Sequence, residues 1–351
     1  MKAVVHYELA PGHCELRQVP VPTIGEDDVL LRVAAVGVCG SDVHQYHNTH
    51  SWPVNVPVVL GHEFCGVIER VGERVTGFAA GDRVVSETAA VVDPACSYTR
   101  AGRYNLDPGR KGFGYGVDGA MAEYVRVPAR CLHRLPEGLD FVTAALTEPC
   151  CVAYQAVAES TPLRPGDIVA VVGPGPIGLL CAQIAKLRGA GEVVMVGVAR
   201  DRDRLALAGR HWATRTLEVE RDDVNAALRE MGDGHGADVI IDASGASAAL
   251  EGALQWVRPE GHITKVGWGP QPLGFSLDPL VQKAVTLKGS FSHTYLVWQR
   301  VVRMLGSGAL DPRPLVSRTA PLEEWEPCFR GMGTGELVKA VLLPGGAAGA
   351  A

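Results

Sequence analysis

The chain has 351 residues, of which 47% are hydrophobic and 21% charged, and its net charge is −6, from 33 basic and 39 acidic side chains. This composition is typical of a globular protein long enough for two domains. The sequence contains no basic run, which argues against nucleic acid or an anionic membrane surface as a partner. The longest apolar window, 168–182, is too short to span a bilayer.

Nine cysteines are scattered along the chain without paired spacing, and their number is odd. This pattern indicates reduced thiols, buried or bound to metal, rather than a disulfide framework. The first residues also lack the apolar core and cleavage site of a signal peptide. We therefore expect a cytoplasmic protein.

Residues 1 to about 150 are predicted to be mostly β-structure. Short apolar segments alternate with closely spaced glycines, a pattern typical of a small barrel with short turns. The strands expected here are Val29–Val36, Gly66–Val71 and Asp82–Val85.

Two segments of this first part, Val-Cys-Gly-Ser-Asp-Val-His and Gly-His-Glu-Phe-Cys, carry metal-ligand chemistry. A catalytic zinc takes three ligands from cysteine, histidine and carboxylate side chains and keeps one position open. Cys39 and His62 supply two ligands, and Glu63 and Glu148 compete for the third place. Adjacent strand residues face opposite sides, so His62 and Glu63 share a metal only if the backbone turns there. Either one glutamate binds the metal while the other holds its water, or the two exchange; Cys65 is expected to be a buried thiol.

A glycine-rich turn follows the β-rich part and opens a new pattern. Five apolar residues, Ile168–Val172, predict a buried parallel strand, and Gly173, Gly175 and Gly178 follow with G-x-G-x-x-G spacing. Pro176 stands at the expected helix start, where no N–H partner is lost, and the helix should continue to Leu187. The phosphates of a dinucleotide would lie at this helix N-terminus, so we assign the segment to cofactor binding, including Pro176 and Ile177.

Strands and helices alternate in the residues that follow, which indicates a doubly wound parallel sheet. The further strands expected are Val193–Val196, Val239–Asp242, His262–Val266 and Thr286–Lys288, with helices at Asp201–Gly209 and Ser247–Trp256. After a last helix, Val297–Leu305, the strand Leu337–Leu343 is predicted to return to the first domain, because no crossover helix links it to the parallel sheet. The closing segment, Gly345–Ala351, is expected to be a loose tail.

The end of the second parallel strand is expected to choose the cofactor. NAD-binding domains usually place a carboxylate there, about 20 residues after the glycine motif, to bind the ribose. In this chain the place falls to Ala199, followed by Arg200, with Arg204 one helical turn away. Arginine grips a 2′-phosphate, so we predict NADP rather than NAD. If the strand ends two residues later than drawn, Asp201 becomes the ribose ligand and NAD is favoured.

The motifs G-V-C-G-S-D-V-H, G-H-E, L-T-E-P and G-P-G-P-I-G stand in the order found in the zinc-dependent medium-chain dehydrogenases, which the chain resembles over nearly its whole length. Sorbitol (polyol) dehydrogenases are similar, with threonine dehydrogenases near by. The resemblance implies an α/β protein: a GroES-like β-barrel catalytic domain, residues 1–152 and 291–351, and a Rossmann domain, residues 153–290. The active site is then expected in the cleft between them, near Glu148.

The resemblance also implies roles for other groups. Zinc would lower the pKa of an alcohol and hydride would pass to the nicotinamide ring. Ser41 and His44 match the positions that the family uses for proton relays, although Ser41 could instead cap a helix beginning at Asp42. The run Ala-Arg-x-x-x-Arg is similar to NADP-using ketose reductases. A homodimer or homotetramer is implied.

The sequence departs from the family in two places. Many members hold a second, structural zinc on four cysteines, and the matching positions here are Asp93, Cys96, Thr99 and Asp107. One thiol cannot close a tetrahedral site, so we expect a single catalytic zinc and a loop without metal. The segment Phe291–Tyr295 stands where sorbitol dehydrogenases keep an Arg-Tyr pair for substrate hydroxyls, and neither residue of that pair is kept.

The histidine-rich segment His44–Trp52 is interpreted as a pocket-lining or solvated loop rather than as a metal site. The leading hypothesis is a zinc-dependent oxidoreductase acting on a secondary alcohol such as a polyol or sugar. The alternatives are a threonine-type dehydrogenase, a zinc-free reductase of activated double bonds, or a nucleotide-binding protein on a decayed scaffold. Retention of Cys39, His62 and Glu148 argues against the last two.

Overall fold

A computed structural model of the protein describes residues 1–346, so the closing residues 347–351, with most of the predicted tail, lie outside the described part. The chain divides into two compact units. The first unit contains Met1–Glu148 together with the chain from Thr294 onward, and the second contains Pro149–His293. The boundaries predicted from the sequence are 152/153 and 290/291.

The first unit is built mainly from antiparallel strands. Its strands are β1 (Lys2–His6), β2 (Cys14–Gln18), β3 (Asp28–Gly37), β4 (Val58–Val59), β5 (Glu63–Val71), β6 (Arg83–Ser86), β7 (Tyr124–Pro128), β8 (Leu132–Arg134), β15 (Val316–Pro321) and β16 (Lys339–Leu343). Its helices are α1 (Gly40–Tyr46), α2 (Ser97–Arg100), α3 (Phe141–Ala145), α10 (Tyr295–Gly306) and α11 (Trp325–Thr334), and α4 (Thr147–Tyr154) begins here and continues into the second unit.

Two sheets organise these strands. The smaller sheet has the order β2-β1-β4, and the larger has the order β15-β16-β3-β5-β6-β8, with β7 also paired to β3. Strand β3 lies inside the larger sheet, and eight of its ten residues are buried apolar or glycine residues, while Asp28 and Arg32 are half-buried. The C-terminal strand β16 is wholly buried and pairs with β3, Val341 opposite Gly37. This confirms that the last strand returns to the first domain.

The second unit alternates strands and helices. Its strands are β9 (Ile168–Val172), β10 (Glu192–Gly197), β11 (Arg215–Glu218), β12 (Ala237–Asp242), β13 (Val257–Lys265) and β14 (Thr286–Gly289). Its helices are α5 (Pro176–Leu187), α6 (Arg202–His211), α7 (Val224–Glu230), α8 (Ser247–Trp256) and α9 (Asp278–Gln282), with a π-helical turn at Gln155–Glu159. The strands form one parallel sheet with the order β11-β10-β9-β12-β13-β14.

This strand order is that of a Rossmann sheet, in which the chain starts in the middle and builds outward in both directions. All five residues of β9 are buried, as a strand covered on both faces requires. The predicted fold class, a GroES-like domain with a Rossmann domain, is therefore confirmed. The sequence analysis missed β11 and α7, because β11 buries only Leu217 and Glu218 and gives little apolar pattern.

Two general expectations concern cysteines and membranes. All nine cysteines lie in the described residues and are free thiols. Within residues 1–346 there is no helix with the length and apolar character needed to cross a bilayer.

Candidate active site and cofactor site

Cys39 lies at the junction between the central strand and the first helix. Strand β3 ends at Gly37, and Cys39 is the N-cap residue of α1, with its backbone N–H donating to Asp42 Oδ2 at 2.9 Å. The thiolate is the form of cysteine that binds a metal. The helix begins at Gly40, so the alternative reading of Ser41 as the cap of a helix starting at Asp42 is wrong.

His62 and Glu63 follow a turn in the chain. Gly61 adopts a φ of +94°, and a Cβ there would lie 2.8 Å from the backbone N of Met121, so glycine is required. Strand β5 begins only at Glu63, which lets the two neighbouring side chains reach the same point. Ligand atoms of Cys39, His62 and Glu63 all lie within 4.8 Å of one another.

Asp42 supports His62 from behind. The Asp42 side chain is fully buried, and its Oδ1 lies 3.6 Å from His62 Nδ1. A carboxylate at one ring nitrogen orients the imidazole and leaves the other nitrogen to a metal. Burial alone would lower the pKa of His62, but Asp42 and Cys39 raise it well above its ordinary value. The sequence analysis missed Asp42; its signal was an acidic residue three positions after the N-cap.

Glu63 is held by a lysine from the other end of the chain. Lys339, on β16, is 2% exposed and donates to Glu63 Oε1 at 2.7 Å and to Val38 O at 2.8 Å. Opposite Glu63 on β3 stands Gly37, where a Cβ would lie 2.2 Å from Glu63 Oε2. Burial by itself would lower the pKa of Lys339, but the charges of Glu63, Cys39 and Glu148 and the hydrogen bond to Glu63 together raise it. Lys339 was also missed, because no local pattern marks a pair 276 residues apart.

Glu148 is the second residue of α4 and is buried. It does not belong to the 4.8 Å group, but its charge acts on both members of the buried pair, raising the pKa of Glu63 and of Lys339. Lys339 contacts both carboxylate oxygens of Glu63, so the charge of Glu63 is balanced by the ammonium. Glu148 thus stands near the group as the second candidate carboxylate.

The expected relay residues lie on α1 beside Cys39. Ser41 is half-buried, and His44 Nδ1 lies 2.9 Å from Thr49 Oγ1. Partial burial, with His47 and His50 near by, lowers the pKa of His44, so its ring is neutral near pH 7. The Trp52 ring lies 6.4 Å from the His44 ring and 5.7 Å from the His50 ring, so the histidine-rich segment folds around a tryptophan.

The four positions that match the structural-zinc cysteines, Asp93, Cys96, Thr99 and Asp107, lie in a segment called here the lobe, which is held by hydrogen bonds. Within the described residues they form no group of metal ligands. Asp107 accepts from Asp93 N at 2.6 Å, Gly109 N at 2.8 Å and Thr99 Oγ1 at 3.3 Å, and the two backbone donors lower its pKa. One carboxylate therefore joins the segments that four cysteines would otherwise join through zinc.

A sulfur, an imidazole and a carboxylate, gathered at a largely buried point, match the ligand preferences of zinc. Asp42 behind the imidazole supplies the outer partner that such sites use. The donor set of this chain therefore fits a catalytic zinc.

The glycine motif has the geometry of a dinucleotide turn. Gly173 adopts a φ of +96°, and a Cβ on Gly178 would lie 1.9 Å from Gly173 O, so the helix packs tightly on the strand end. A Cβ on Gly175 would meet nothing within 4 Å, which leaves the backbone open to a ligand. Gly175 is the N-cap of α5, Pro176 is its first residue and Ile177 its second. These residues fit a pyrophosphate at the helix N-terminus.

Strand β10 ends at Gly197, one residue later than predicted. Asp201 Oδ2 accepts the Val198 N–H at 3.2 Å, so its side chain is turned back to the strand end. Arg202 binds Glu218 through two hydrogen bonds, of 2.8 and 2.7 Å. Arg200 is exposed and Arg204 half-buried; burial lowers the pKa of Arg204, and the charge of Arg200 acts in the same direction.

Comparison with known proteins shows the family of this chain. Residues 25–137 match the family model of the alcohol dehydrogenase GroES-like domain, and residues 176–307 match that of the zinc-binding dehydrogenases. The chain belongs to the zinc-dependent medium-chain dehydrogenases. It is an oxidoreductase that transfers hydride between a small-molecule alcohol and a nicotinamide cofactor.

Three relatives illustrate the similarity. The chain is 39% identical to a sorbitol dehydrogenase of Halalkalibacterium halodurans, over 98% of this chain and 99% of the relative. It is 35% identical to a D-arabitol-phosphate dehydrogenase of Enterococcus avium, over 95% of each chain. Among solved structures, a zinc-binding dehydrogenase of Sinorhizobium meliloti bound to NADP has a TM-score of 0.90 at 30% identity, covering 98% of this chain and 99% of its own.

We expect Glu148→Gln, which removes a charge without changing shape, to lower turnover about 100-fold or more, since even outer partners of a metal typically cost 10–100-fold. Steady-state kinetics with zinc analysis will measure this. The control is the double variant Glu63→Gln/Lys339→Met, which removes the second carboxylate without leaving a buried lysine unpaired. Retained turnover in Glu148→Gln, with loss in the double variant, would assign the metal role to Glu63.

Proposed function

We propose that this protein is a zinc-dependent polyol dehydrogenase, which oxidises a secondary hydroxyl of a polyol or sugar alcohol, or reduces the matching ketone. The observation that carries the proposal is the group of Cys39, His62 and Glu63 with its partner Asp42, on a chain that also holds an open glycine turn. The names of the sorbitol and arabitol-phosphate relatives support the substrate class.

In this proposal Cys39 and His62 hold the zinc together with one carboxylate. Glu63 lies with them but is paired with Lys339, so we assign the third place to Glu148, with Glu63 as the alternative ligand. When bound, zinc supplies a Lewis acid that lowers the pKa of an alcohol and stabilises developing charge on oxygen. Asp42 keeps the His62 ring in the ligating orientation. Lys339 neutralises Glu63, so that the site does not carry two unbalanced carboxylates.

The proton released by the alcohol needs a path to solvent. Ser41 is assigned as the first hydroxyl, since it stands in the first turn of α1 at the position where the family has a relay hydroxyl. His44, whose lowered pKa keeps the ring neutral, accepts the proton next, and its Nδ1 is held by Thr49. The cofactor pyrophosphate binds at Gly175, Pro176, Ile177 and Gly178, with Gly173 shaping the turn.

A panel of substrates tests the function. Absorbance of the reduced nicotinamide would be followed with sorbitol, xylitol, D-arabitol, ethanol and L-threonine, and with an enone for double-bond reduction, each with NAD and NADP. The expected result is turnover on polyols that Cys39→Ser abolishes. Turnover only on L-threonine would favour the threonine-type reading, turnover only on the enone a zinc-free reductase, and none at all a decayed scaffold.

We further propose one zinc per chain, because the lobe around Asp107 is closed by hydrogen bonds and holds one cysteine. Elemental analysis should find one zinc per wild-type chain. Cys39→Ser should lose it and still bind the cofactor, since the glycine motif is untouched. Cys96→Ser is the matched control, the same change in the lobe, and should keep the zinc. Two tightly held zincs per chain would contradict this assignment.

For the cofactor we propose NADP. The place usually held by a ribose-binding carboxylate is Ala199, and Arg200 is exposed beside it. Asp201, the residue that would favour NAD, is engaged with the Val198 backbone. Arg202 is engaged with Glu218, whereas Arg200 is exposed and would face a 2′-phosphate, with Arg204 one helical turn away. The NADP-bound neighbour is consistent with this assignment.

We expect kcat/KM to be higher with NADP than with NAD, and Arg200→Ala to lower the NADP value by about tenfold, because a charge-assisted contact to the phosphate is lost. The NAD value should be unchanged. Arg210→Ala, an exposed arginine in the last turn of α6, is the matched control and should behave as wild type. A wild type that favours NAD, and is indifferent to Arg200→Ala, would refute the assignment.

A homodimer is also proposed, with a homotetramer as the larger alternative. Strand β14 is the edge of the parallel sheet, all four of its residues are exposed, and Leu277, Val281 and Leu287 expose apolar surface near it. Exposed sheet edges pair with other chains unless they are protected. A second copy of this chain is therefore the expected partner.

Light scattering should give at least twice the chain mass for the wild type. Leu287→Lys should shift the protein towards the monomer, because a charge would be buried in the paired edge. Leu187→Lys, the same change at an exposed leucine ending α5, should have no effect. A wild type of single-chain mass would disprove the dimer.

A further inference from the structure

The carboxylate of Glu220, which follows strand β11, lies at the end of the parallel sheet where the cofactor is proposed to bind. Strand β11 ends at Glu218, and the Val219 N–H donates to Gly197 O at 3.0 Å, which extends its pairing with β10. The next side chain, Glu220, then reaches across: its Oε2 accepts the Ala199 N–H at 3.0 Å. The carboxyl ends of parallel strands meet at one edge, which explains the encounter.

Ala199 is the place where a Rossmann domain meets the ribose 2′ position. A carboxylate there accepts a hydrogen bond from a 2′-hydroxyl, whereas a 2′-phosphate seeks N–H donors and arginine. Asp201 is turned back to Val198 N. Glu220 is therefore the carboxylate bound to the Ala199 amide, although it stands 21 residues further along the chain.

We propose that Glu220 is a specificity-determining residue, whose carboxylate competes with the 2′-phosphate of NADP for the Ala199 amide. The inference rests on the proposed cofactor site at Ala199 and Arg200. A 2′-phosphate must displace the carboxylate and approach a like charge, whereas a 2′-hydroxyl can donate to it. Glu220 thus opposes Arg200 and Arg204, and the preference for NADP is smaller than the arginines alone would produce.

Direct binding measures the effect on the intact protein. Calorimetric titration of wild type, Glu220→Gln and Glu220→Ala would use NADPH, NADH, and the fragments 2′,5′-ADP and 5′-AMP, which differ only in the 2′-phosphate. Glu220→Gln removes the charge and keeps an acceptor, and Glu220→Ala removes both. The matched control is Glu230→Gln, at an exposed glutamate that ends α7.

Glu220→Gln should tighten NADPH and 2′,5′-ADP by about fivefold, the size of one screened charge contact at an exposed site, and leave 5′-AMP unchanged. The gain should shrink at about 1 M salt, where the screening length is about 3 Å. Glu230→Gln should change nothing. Equal Kd values for 2′,5′-ADP in wild type and both Glu220 variants would overturn the proposal.

Failure of this inference can be told apart from failure of the NADP assignment. The NADP assignment is decided by wild type and Arg200→Ala, whereas Glu220 is judged by the ratio of variant to wild-type Kd for the 2′-phosphate probes. A wild type that prefers NADH, together with tighter 2′,5′-ADP binding in Glu220→Gln, would refute NADP use and support the role of Glu220. A wild type that prefers NADPH with no response to Glu220→Gln would do the reverse.

Discussion

The buried pair of Lys339 and Glu63 joins three segments of the first unit that surround the proposed zinc site. Lys339 belongs to the last strand, Glu63 begins the strand that follows His62, and the same ammonium binds Val38 O, one residue before Cys39. Removing one partner of such a buried pair typically costs about 3–5 kcal/mol, because the remaining charge is left unpaired. The pair therefore links strand β16 to both segments that carry the proposed zinc ligands.

Other carboxylates in the first unit are also held in place by hydrogen bonds. The Asp42 carboxylate has two roles. One oxygen accepts the Cys39 N–H, and the other lies beside the His62 ring. In the lobe, the carboxylate of Asp107 binds two backbone N–H groups and a hydroxyl. A hydrogen-bonded carboxylate therefore holds this short loop through donors that are close to it in the chain.

In the second unit, Gly178 packs against Gly173 O, which places helix α5 close to the end of strand β9. The exposed Arg200 provides a positive charge just after the end of strand β10. The third strand then adds a negative charge next to Ala199 through Glu220. If the proposed assignments hold, cofactor choice depends on the charges at two adjacent strand ends rather than on a single position.

Much of this molecule could be read from local sequence. The G-x-G-x-x-G turn after five apolar residues predicted β9 and α5, since strand, turn and helix each have short-range signatures. Cys39, His62 and a glutamate offered the three ligand types of a catalytic zinc, and the resemblance of these motifs and the glycine turn to the zinc-dependent medium-chain dehydrogenases indicated the family. Weakly patterned elements such as β11 were missed.

What only the tertiary structure decided is which distant groups meet. The pairing of Lys339 with Glu63 and the contact of Glu220 with Ala199 both depend on how the strands are aligned. Spacing along the chain encodes turns and helix faces, because those contacts form within a few residues. Contacts across a sheet depend on strand order and register, and these follow from the burial of the whole core rather than from any local run of residues.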